Sequence, residues 1–327
     1  MKSLSETALL SILSDGEFHS GQQLANLLDV SRTAIWKQLN KVKEKELDLY
    51  SVRGRGYRLA SPLELLNEKL ILQYAGKSAR QVLPEIEVHY ELPSTNQYLL
   101  DRLPGSNVHG RAVLVEYQSH GKGRGGNRWL SALCSGLCLS VGWHFQTQPA
   151  SLGALSLATG VVIANTIRNA GCQSVSLKWP NDILGAGVKI GGILIESRGQ
   201  IAGPVDVIIG IGLNIKLPEN FSSRINQKAG DLKSISSLPI SRNKLAGTII
   251  KNTLSMLDNY ASDGFESYID EWRKLDYARG KNAMLKQEQK TITGQVVDID
   301  EDGRILLSVS GKLMKYSSGD LTLRIMN

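Results

Sequence analysis

Cysteine is scarce in this chain: three in 327 residues, Cys134, Cys138 and Cys172. So few, and an odd number, cannot build a disulfide framework. Cys134 and Cys138 stand in an apolar run with no second cysteine pair and no clustered histidine. Buried reduced thiols fit that setting better than a zinc site, and no metal-ligating set is expected. Long apolar runs are missing as well. No stretch approaches the roughly 18 uninterrupted apolar residues of a membrane-spanning helix, and no membrane partner is expected. The N-terminus carries Glu6 and Asp15 where a signal peptide would have its apolar core. There is no internal repeat and no low-complexity tail. These absences lead to the expectation of a cytoplasmic protein.

The residues that are present describe an ordinary globular chain, 42% hydrophobic and 21% charged, long enough for two or three domains. Its net charge of +7 suits polyanions or phosphorylated ligands without requiring either.

The segment from Gln118 to Trp129 combines four glycines, Gly121, Gly123, Gly125 and Gly126, with three cations, Lys122, Arg124 and Arg128. Glycine allows close backbone approach, so such a loop can fold its N–H groups around an anion while the cations supply charge. A solvated basic loop is the plainer alternative. Gly121, Gly123 and Gly126 satisfy G-x-G-x-x-G, but that fingerprint must open a helix, and residues 129–145 read as a strand. No Gly-Lys-Ser/Thr follows at Walker spacing either. A Rossmann turn and a P-loop are both excluded.

The chain divides into three expected domains, 1–62, 63–276 and 277–327. In the first, Ser3 with Glu6 suggests a capping box for a helix stopped by Gly16, and Ser20 caps a second helix. Ser31 caps a third, running to about Lys45, with Ile35, Leu39 and Val42 on one face. Short helix, tight turn and polar-tipped helix make a helix-turn-helix, whose second helix offers Ser31, Arg32, Thr33, Trp36 and Lys37 to base edges. Two strand-like runs around Gly54-Arg55-Gly56 form a basic wing, with Arg53, Arg55 and Arg58 placed for phosphates. A docking or dimerisation domain is the alternative reading.

Beyond Ser61-Pro62, helix-like and strand-like runs alternate, which argues for an α+β domain with a mixed sheet. Strands are expected at 86–90, 112–117 and 205–215. Two more, 175–179 and 190–196, are expected to pair across 180–189. Helices are expected from Ser94 to Asp101, over 152–170, from Arg242 to Tyr260 and from Phe265 to Lys274. The last 50 residues give about five short strands, the size of an SH3-like β-barrel.

Three segments stand out together: the glycine loop, Lys178-Trp179-Pro180-Asn181-Asp182 followed by Lys189, and Gly210-Ile-Gly-Leu-Asn214. In this order and spacing they closely resemble the biotin protein ligases, whose loop reads Gly-Arg-Gly-Arg-x-Gly-Arg-x-Trp and whose next motif is Lys-Trp-Pro-Asn-Asp. With the winged helix added, essentially the whole chain resembles the bifunctional biotin ligase and biotin operon repressors.

That resemblance implies a two-step reaction with ATP, Mg²⁺ and biotin. Biotin carboxylate attacks the α-phosphate to give biotinyl-5′-AMP, and a lysine of the biotin carboxyl carrier protein of acetyl-CoA carboxylase then takes the acyl group. It implies catalytic roles for Arg124, Lys189 and Asp182, the last to orient the incoming lysine or accept its proton. Biotin contacts follow at Ser94, Thr95, Asn96, Gln118, Gly121, Lys122, Arg124 and Lys189. Nucleotide contacts follow at Arg124, Asn127, Arg128, Trp129, Gly192 and Asn214.

It also implies operator DNA as a partner and a homodimer promoted by biotinyl-AMP, with the glycine loop expected to be disordered until ligand orders it. Lys122 and Asn127 stand where the family has loop arginines, and Gly125 stands at a position often basic, which predicts a looser grip on the adenylate. No aromatic residue lies between Ser222 and Asn259, where one that stacks on the nucleotide is expected. A lipoate-type ligase, a sensor-only transcription factor and an RNA-binding Arg/Gly loop are the rivals. The presence of both Arg124 and Lys189 argues against the sensor.

Overall fold

The computed structural model describes residues 6–83, 85–103, 107–149, 152–199, 203–218, 221, 228–287, 290–319 and 321–326. Three short helices open the chain, α1 (Glu6–Leu13), α2 (Gly21–Leu28) and α3 (Arg32–Glu44). Leu9, Leu13, Leu24, Ile35, Leu39 and Leu59 form their shared core. Ser20 Oγ accepts from Gln23 N at 3.1 Å while Gln23 Oε1 accepts from Ser20 N, a reciprocal capping box. Ser31 Oγ accepts from Ala34 N at 3.1 Å and starts α3. Ser3, the expected first cap, lies outside the described residues. β1 (Leu49–Val52) and β2 (Gly56–Leu59) pair as the antiparallel wing.

After Ser61-Pro62, α4 (Glu68–Val82) leaves helical geometry at Gly76 (φ 83°). Then come β3 (Ile86–Leu92), α5 (Thr95–Leu100), β4 (Ala112–Gln118), and a small hairpin of β5 (Gly121–Lys122) and β6 (Arg128–Trp129). β7 (Gly136–Phe145), α6 (Leu155–Asn169), β8 (Val175–Lys178), β9 (Asp182–Gly185), β10 (Val188–Gly199) and β11 (Val205–Asn214) follow, and then α7 (Arg242–Asp263) and α8 (Glu266–Leu275). The central sheet has the order β3-β4-β7-β11-β10-β9-β8. Only β3 and β4 are parallel, linked through α5; the other neighbours are antiparallel, so the sheet is mixed.

Two expectations change. Residues 129–145 are not one strand. Cys134 takes φ 58°, the extended run breaks, and Leu133 N turns to donate to Lys45 O at 2.9 Å. Nor does 175–179 pair with 190–196. The chain reverses at Pro180 and again at Ala186-Gly187 (φ 48° and 79°), which inserts β9 between them. The glycine loop takes the form of a hairpin, with Gly121 opposite Trp129 and Lys122 opposite Arg128.

The C-terminal strands β12 (Asn282–Gln287), β13 (Lys290–Ile299), β14 (Ile305–Val309), β15 (Lys312–Tyr316) and β16 (Thr322–Ile325) make a five-stranded antiparallel sheet of order β15-β14-β13-β12-β16. Its inner face, including Ala283, Leu285, Val296, Leu307 and Leu323, joins the same apolar core as the central sheet. Fully buried Trp179 adds a polar tie between the two sheets, its Nε1 donating to Gly303 O at 3.0 Å.

The winged helix is held to the central domain by Lys45, the C-terminal cap of α3. Its ammonium lies 2.9 Å from Glu6 and 2.6 Å from Glu91, over the rings of Tyr90 and Tyr117. Deeper in, Arg242 Nη2 meets Glu116 Oε2 at 2.7 Å, both side chains 5% exposed, and also donates to Gly136 O, while Nη1 donates to Glu64 O. The three cysteines are buried and unpaired. No helix among the described residues is long and apolar enough to cross a membrane.

Candidate functional site

β4, the β5–β6 hairpin, the β8–β9 turn, β10 and β11 face the C-terminal sheet around a cavity of about 800 Å³. That is a size suited to a small organic ligand with a nucleotide.

One end is a buried polar corner. Ser94 Oγ accepts from Gln97 N at 3.4 Å and starts α5, which points Thr95 and Asn96 at the sheet. Gln118, at the end of β4, accepts from Thr95 N at 2.8 Å. Asn96 Nδ2 donates to Glu196 Oε2 at 2.8 Å and to Leu194 O at 3.2 Å, while its Oδ1 lies 2.6 Å from Ser140 Oγ. Ser94, Thr95, Asn96 and Gln118 are each at most 8% exposed, as a desolvated head-group pocket requires.

The other end is cationic. Lys178 and Asp182 are register partners across the β8–β9 turn, which contains a cis Trp179–Pro180 peptide bond. Asp182 therefore faces Lys178 Nζ at 2.6 Å, and Lys189, arriving on β10, reaches its other oxygen at 2.6 Å. Burial works against the charged carboxylate, but the ammonium groups of Lys189 and Lys178 outweigh it, and Asp182 titrates below its usual value. Such a group is a weak base. It holds and directs cations better than it removes protons.

Gly192, opposite Asp182, leaves the wall beside Lys189 open. Trp129 lies on Gly212, where an added methyl would stand 2.7 Å from the indole. Lys122 donates to Gln97 Oε1 and lies 3.9 Å from Glu196 Oε1. Arg124 Nη2 donates to Ser318 O at 2.9 Å and to Gly319 O, in the C-terminal unit.

All the expected small-molecule residues line the cavity except Gly121. A side chain there would overlap the Trp129 carbonyl, so Gly121 is needed to close the hairpin. Two polar residues are engaged with backbone. Asn127 Nδ2 donates to Arg124 O at 2.8 Å and braces the hairpin turn, and Asn214 Nδ2 donates to Gly230 O at 3.0 Å. Arg128 donates to Ser119 O at 3.3 Å.

Sequence reasoning passed over Ser140, Glu196 and the pairing role of Lys178, along with Lys228, Lys286 and Arg324, which add charge to the cavity wall. A serine within the apolar run of β7 was the one available signal for Ser140.

The residues expected to face DNA lie elsewhere. Arg32, Thr33, Trp36 and Lys37 form an exposed face of α3, with Trp36 56% exposed, while Ser31 is occupied as its cap. Arg53 and Arg55 are exposed on the wing, and the Arg55 guanidinium stacks 4.1 Å from the Phe18 ring.

Three family models match the chain: the biotin/lipoate A/B protein ligase family over residues 88–214, an HTH domain over 6–58, and the biotin protein ligase C terminal domain over 280–324. The chain is 36% identical over 316 residues to the bifunctional ligase/repressor BirA of Escherichia coli, covering 97% of this chain and 96% of that one. It is 28% identical to the bifunctional ligase/repressor BirA of Bacillus subtilis, covering 94% of each. Among solved structures, a mutant biotin protein ligase from Aquifex aeolicus in complex with biotin matches with TM-score 0.62 and 25% identity, over 73% of this chain and 98% of that one. The Aquifex aeolicus enzyme in complex with biotin and ATP has the same fold, with TM-score 0.63 at 24% identity, over 75% of this chain and all of that one.

Proposed function

The chain belongs to the family of bifunctional biotin protein ligases and repressors, and on that premise we propose how its residues divide the work. It is an ATP-dependent biotin ligase that also represses transcription through its N-terminal DNA-binding unit. The observation that carries the site assignment is Asp182 clamped between Lys178 and Lys189 at the cationic end of the cavity, opposite the Thr95–Gln118 corner.

Biotin places its head group against Ser94, Thr95 and Gln118 and its carboxylate toward Lys189. A carboxylate oxygen attacks the α-phosphate of ATP, the bond to the bridging oxygen breaks, and pyrophosphate leaves with biotinyl-5′-AMP formed. Arg124 and Lys189 offset the charge on the two anions that must meet. Lys178 stays with Asp182 when Lys189 turns to the ligand, so the carboxylate is never left unpaired. Trp129, Gly192, Arg128, Asn127 and Asn214 shape the nucleotide side.

In the second step the acceptor amine attacks the acyl carbon, AMP leaves, and the amine gives up a proton as the amide forms. Asp182 orients that amine, and the proton passes to solvent. The acceptor is a lysine of the biotin carboxyl carrier protein of acetyl-CoA carboxylase. Mg²⁺ arrives as part of the nucleotide substrate, bound mainly through its phosphates. The carboxylates of Asp182 and Glu196 are already committed to lysines and to Asn96, and no group of three metal-ligating side chains occurs among the described residues.

Domain limits at 62/63 and 276/277 belong to the same proposal. So does the repressor state, a homodimer favoured by biotinyl-AMP that sets two recognition helices on two half-sites. Arg124 bridges the hairpin and the C-terminal unit, so adenylate binding draws on both.

The test is to incubate the chain with biotin, ATP and Mg²⁺, identify the bound product by mass spectrometry, and sediment the same sample. Biotinyl-AMP and a dimer are expected together. Adenylate without any change in mass distribution would remove the dimer, and no adenylate would remove the assignment of the site.

A further inference from the structure

The polar corner contains one more residue than ligand contact requires. Ser140, on β7, is fully buried. Its Oγ lies 2.7 Å from Thr95 Oγ1 and 2.6 Å from Asn96 Oδ1. We propose that Ser140, itself oriented through Asn96 and Glu196, is a positioning residue that makes the Thr95 hydroxyl a hydrogen-bond acceptor for a ring N–H of the ligand head group. This rests on the reading of Thr95 and Gln118 as head-group contacts.

The direction of the chain follows from counting protons. The partners of Asn96 Nδ2 are Glu196 Oε2 at 2.8 Å and Leu194 O at 3.2 Å. A carboxylate and a carbonyl only accept, so the amide nitrogen must face them and Oδ1 must face Ser140. Oδ1 has no proton, so the 2.6 Å contact takes the single proton of Ser140. The 2.7 Å contact between Ser140 and Thr95 can then be filled only by the Thr95 proton.

The opposite assignment would send the Thr95 proton to Gln118 Oε1, 3.2 Å away. It would also set two protonless oxygens against each other at 2.6 Å. The first assignment leaves only the longer contact without a proton and is the less costly.

Gly210 guards this geometry, because a methyl group there would overlap the Asn96 carboxamide. The Lys122 ammonium, 3.9 Å from Glu196 Oε1, anchors the far end.

The consequence is a polarity written into the pocket. With its proton turned toward Ser140, Thr95 offers lone pairs to the cavity. Gln118 Oε1 is occupied by Thr95 N at 2.8 Å, which leaves the amide nitrogen as the donor of that side chain. An acceptor beside a donor matches the N–H and C=O of a cyclic urea. Asn96, expected as a ligand contact, becomes the relay that holds Ser140. The device is specific as well as attractive: a head group with oxygen in place of that N–H sets two acceptors face to face.

The test is calorimetric binding of biotin and of two carbamate analogues, each with one ring N–H replaced by oxygen, to the full-length wild type, Ser140→Ala, Glu196→Leu and Thr95→Val. Wild type should disfavour one carbamate by about 10-fold or more. Ser140→Ala frees the Thr95 proton, so the preference should fall to within about threefold while biotin itself still binds.

Glu196→Leu, changed at a partly exposed position, removes the charge-assisted anchor of Asn96 and should lower the preference at least about threefold; it carries the test if Ser140→Ala does not fold. Full preference retained in either variant, or no preference in wild type, overturns the role of Ser140. If Thr95→Val binds all three ligands as wild type does, the head group is not at Thr95, and the reading of the site fails instead.

Discussion

Lys178→Met tests the clamp on Asp182 with the least disturbance, because methionine keeps the length of the side chain and removes only its charge. In the wild type two ammonium groups share one carboxylate at 2.6 Å each, so one can turn to the ligand while the other remains. In the variant, Lys189 can reach the biotin carboxylate only by leaving Asp182 unpaired. Two unit charges at that separation attract by roughly 6 kcal/mol at an effective dielectric of about 20. The Lys178 and Lys189 side chains are 23% and 26% exposed, so water replaces a good part of this. A net cost of about 2–3 kcal/mol remains, on the order of 10²-fold in rate.

The assay is biotin-dependent exchange of pyrophosphate into ATP, which reads adenylate formation alone. Lys178→Met should be about 10²-fold slow. Adding Asp182→Asn should recover most of that loss, since no carboxylate is left to strand and Asp182 is not needed until the second step. A single variant that exchanges at the wild-type rate refutes the clamp. So does a double variant as slow as the single one.

Three further outcomes follow from the same structure. Burial pushes the Asp276 carboxyl up to about 6 from an ordinary 3.8, against backbone hydrogen bonds from Ala278 and Arg279 that favour its charge. The stabilisation linked to its proton is full below about pH 4 and lost as pH rises through 6, which amounts to about 3 kcal/mol. Asp276→Asn should therefore match wild type in urea unfolding near pH 4 and exceed it by up to that amount at pH 7.5; equal stability at both pH values would refute the shift. Gly212→Ala should displace the Trp129 indole, raising KM for ATP on the order of 10-fold in steady-state kinetics. Arg55→Ala should weaken operator binding about equally for all sequences and reduce the salt slope by about 1 in titrations at several salt concentrations.

The parts of this molecule that were legible in its sequence are those set by local chemistry. Ser20, Ser31 and Ser94 each cap the helix they announce. Lys178 and Asp182 meet because a short turn makes them register partners. The glycine loop stood out in the sequence, and most of it lines the cavity. Its hairpin form was not legible, because Arg124 reaches carbonyls at Ser318 and Gly319, nearly 200 residues further along the chain.

β9 escaped notice because four residues carry no usable period between two turns. Ser140 and Glu196 were missed for a related reason. Each is one polar residue on a mostly apolar strand, and its meaning appears only when α5 packs across the sheet and lays Asn96 between them.

The central claim is that this cavity activates biotin and passes it to a protein. Transfer of labelled biotin to a purified biotin-acceptor domain, with wild type and Lys189→Ala side by side, tests it most directly. The account predicts transfer by wild type that requires both ATP and Mg²⁺, and at least about a 10²-fold loss in Lys189→Ala. Equal transfer by both proteins, or biotin bound but never transferred by wild type, would contradict it.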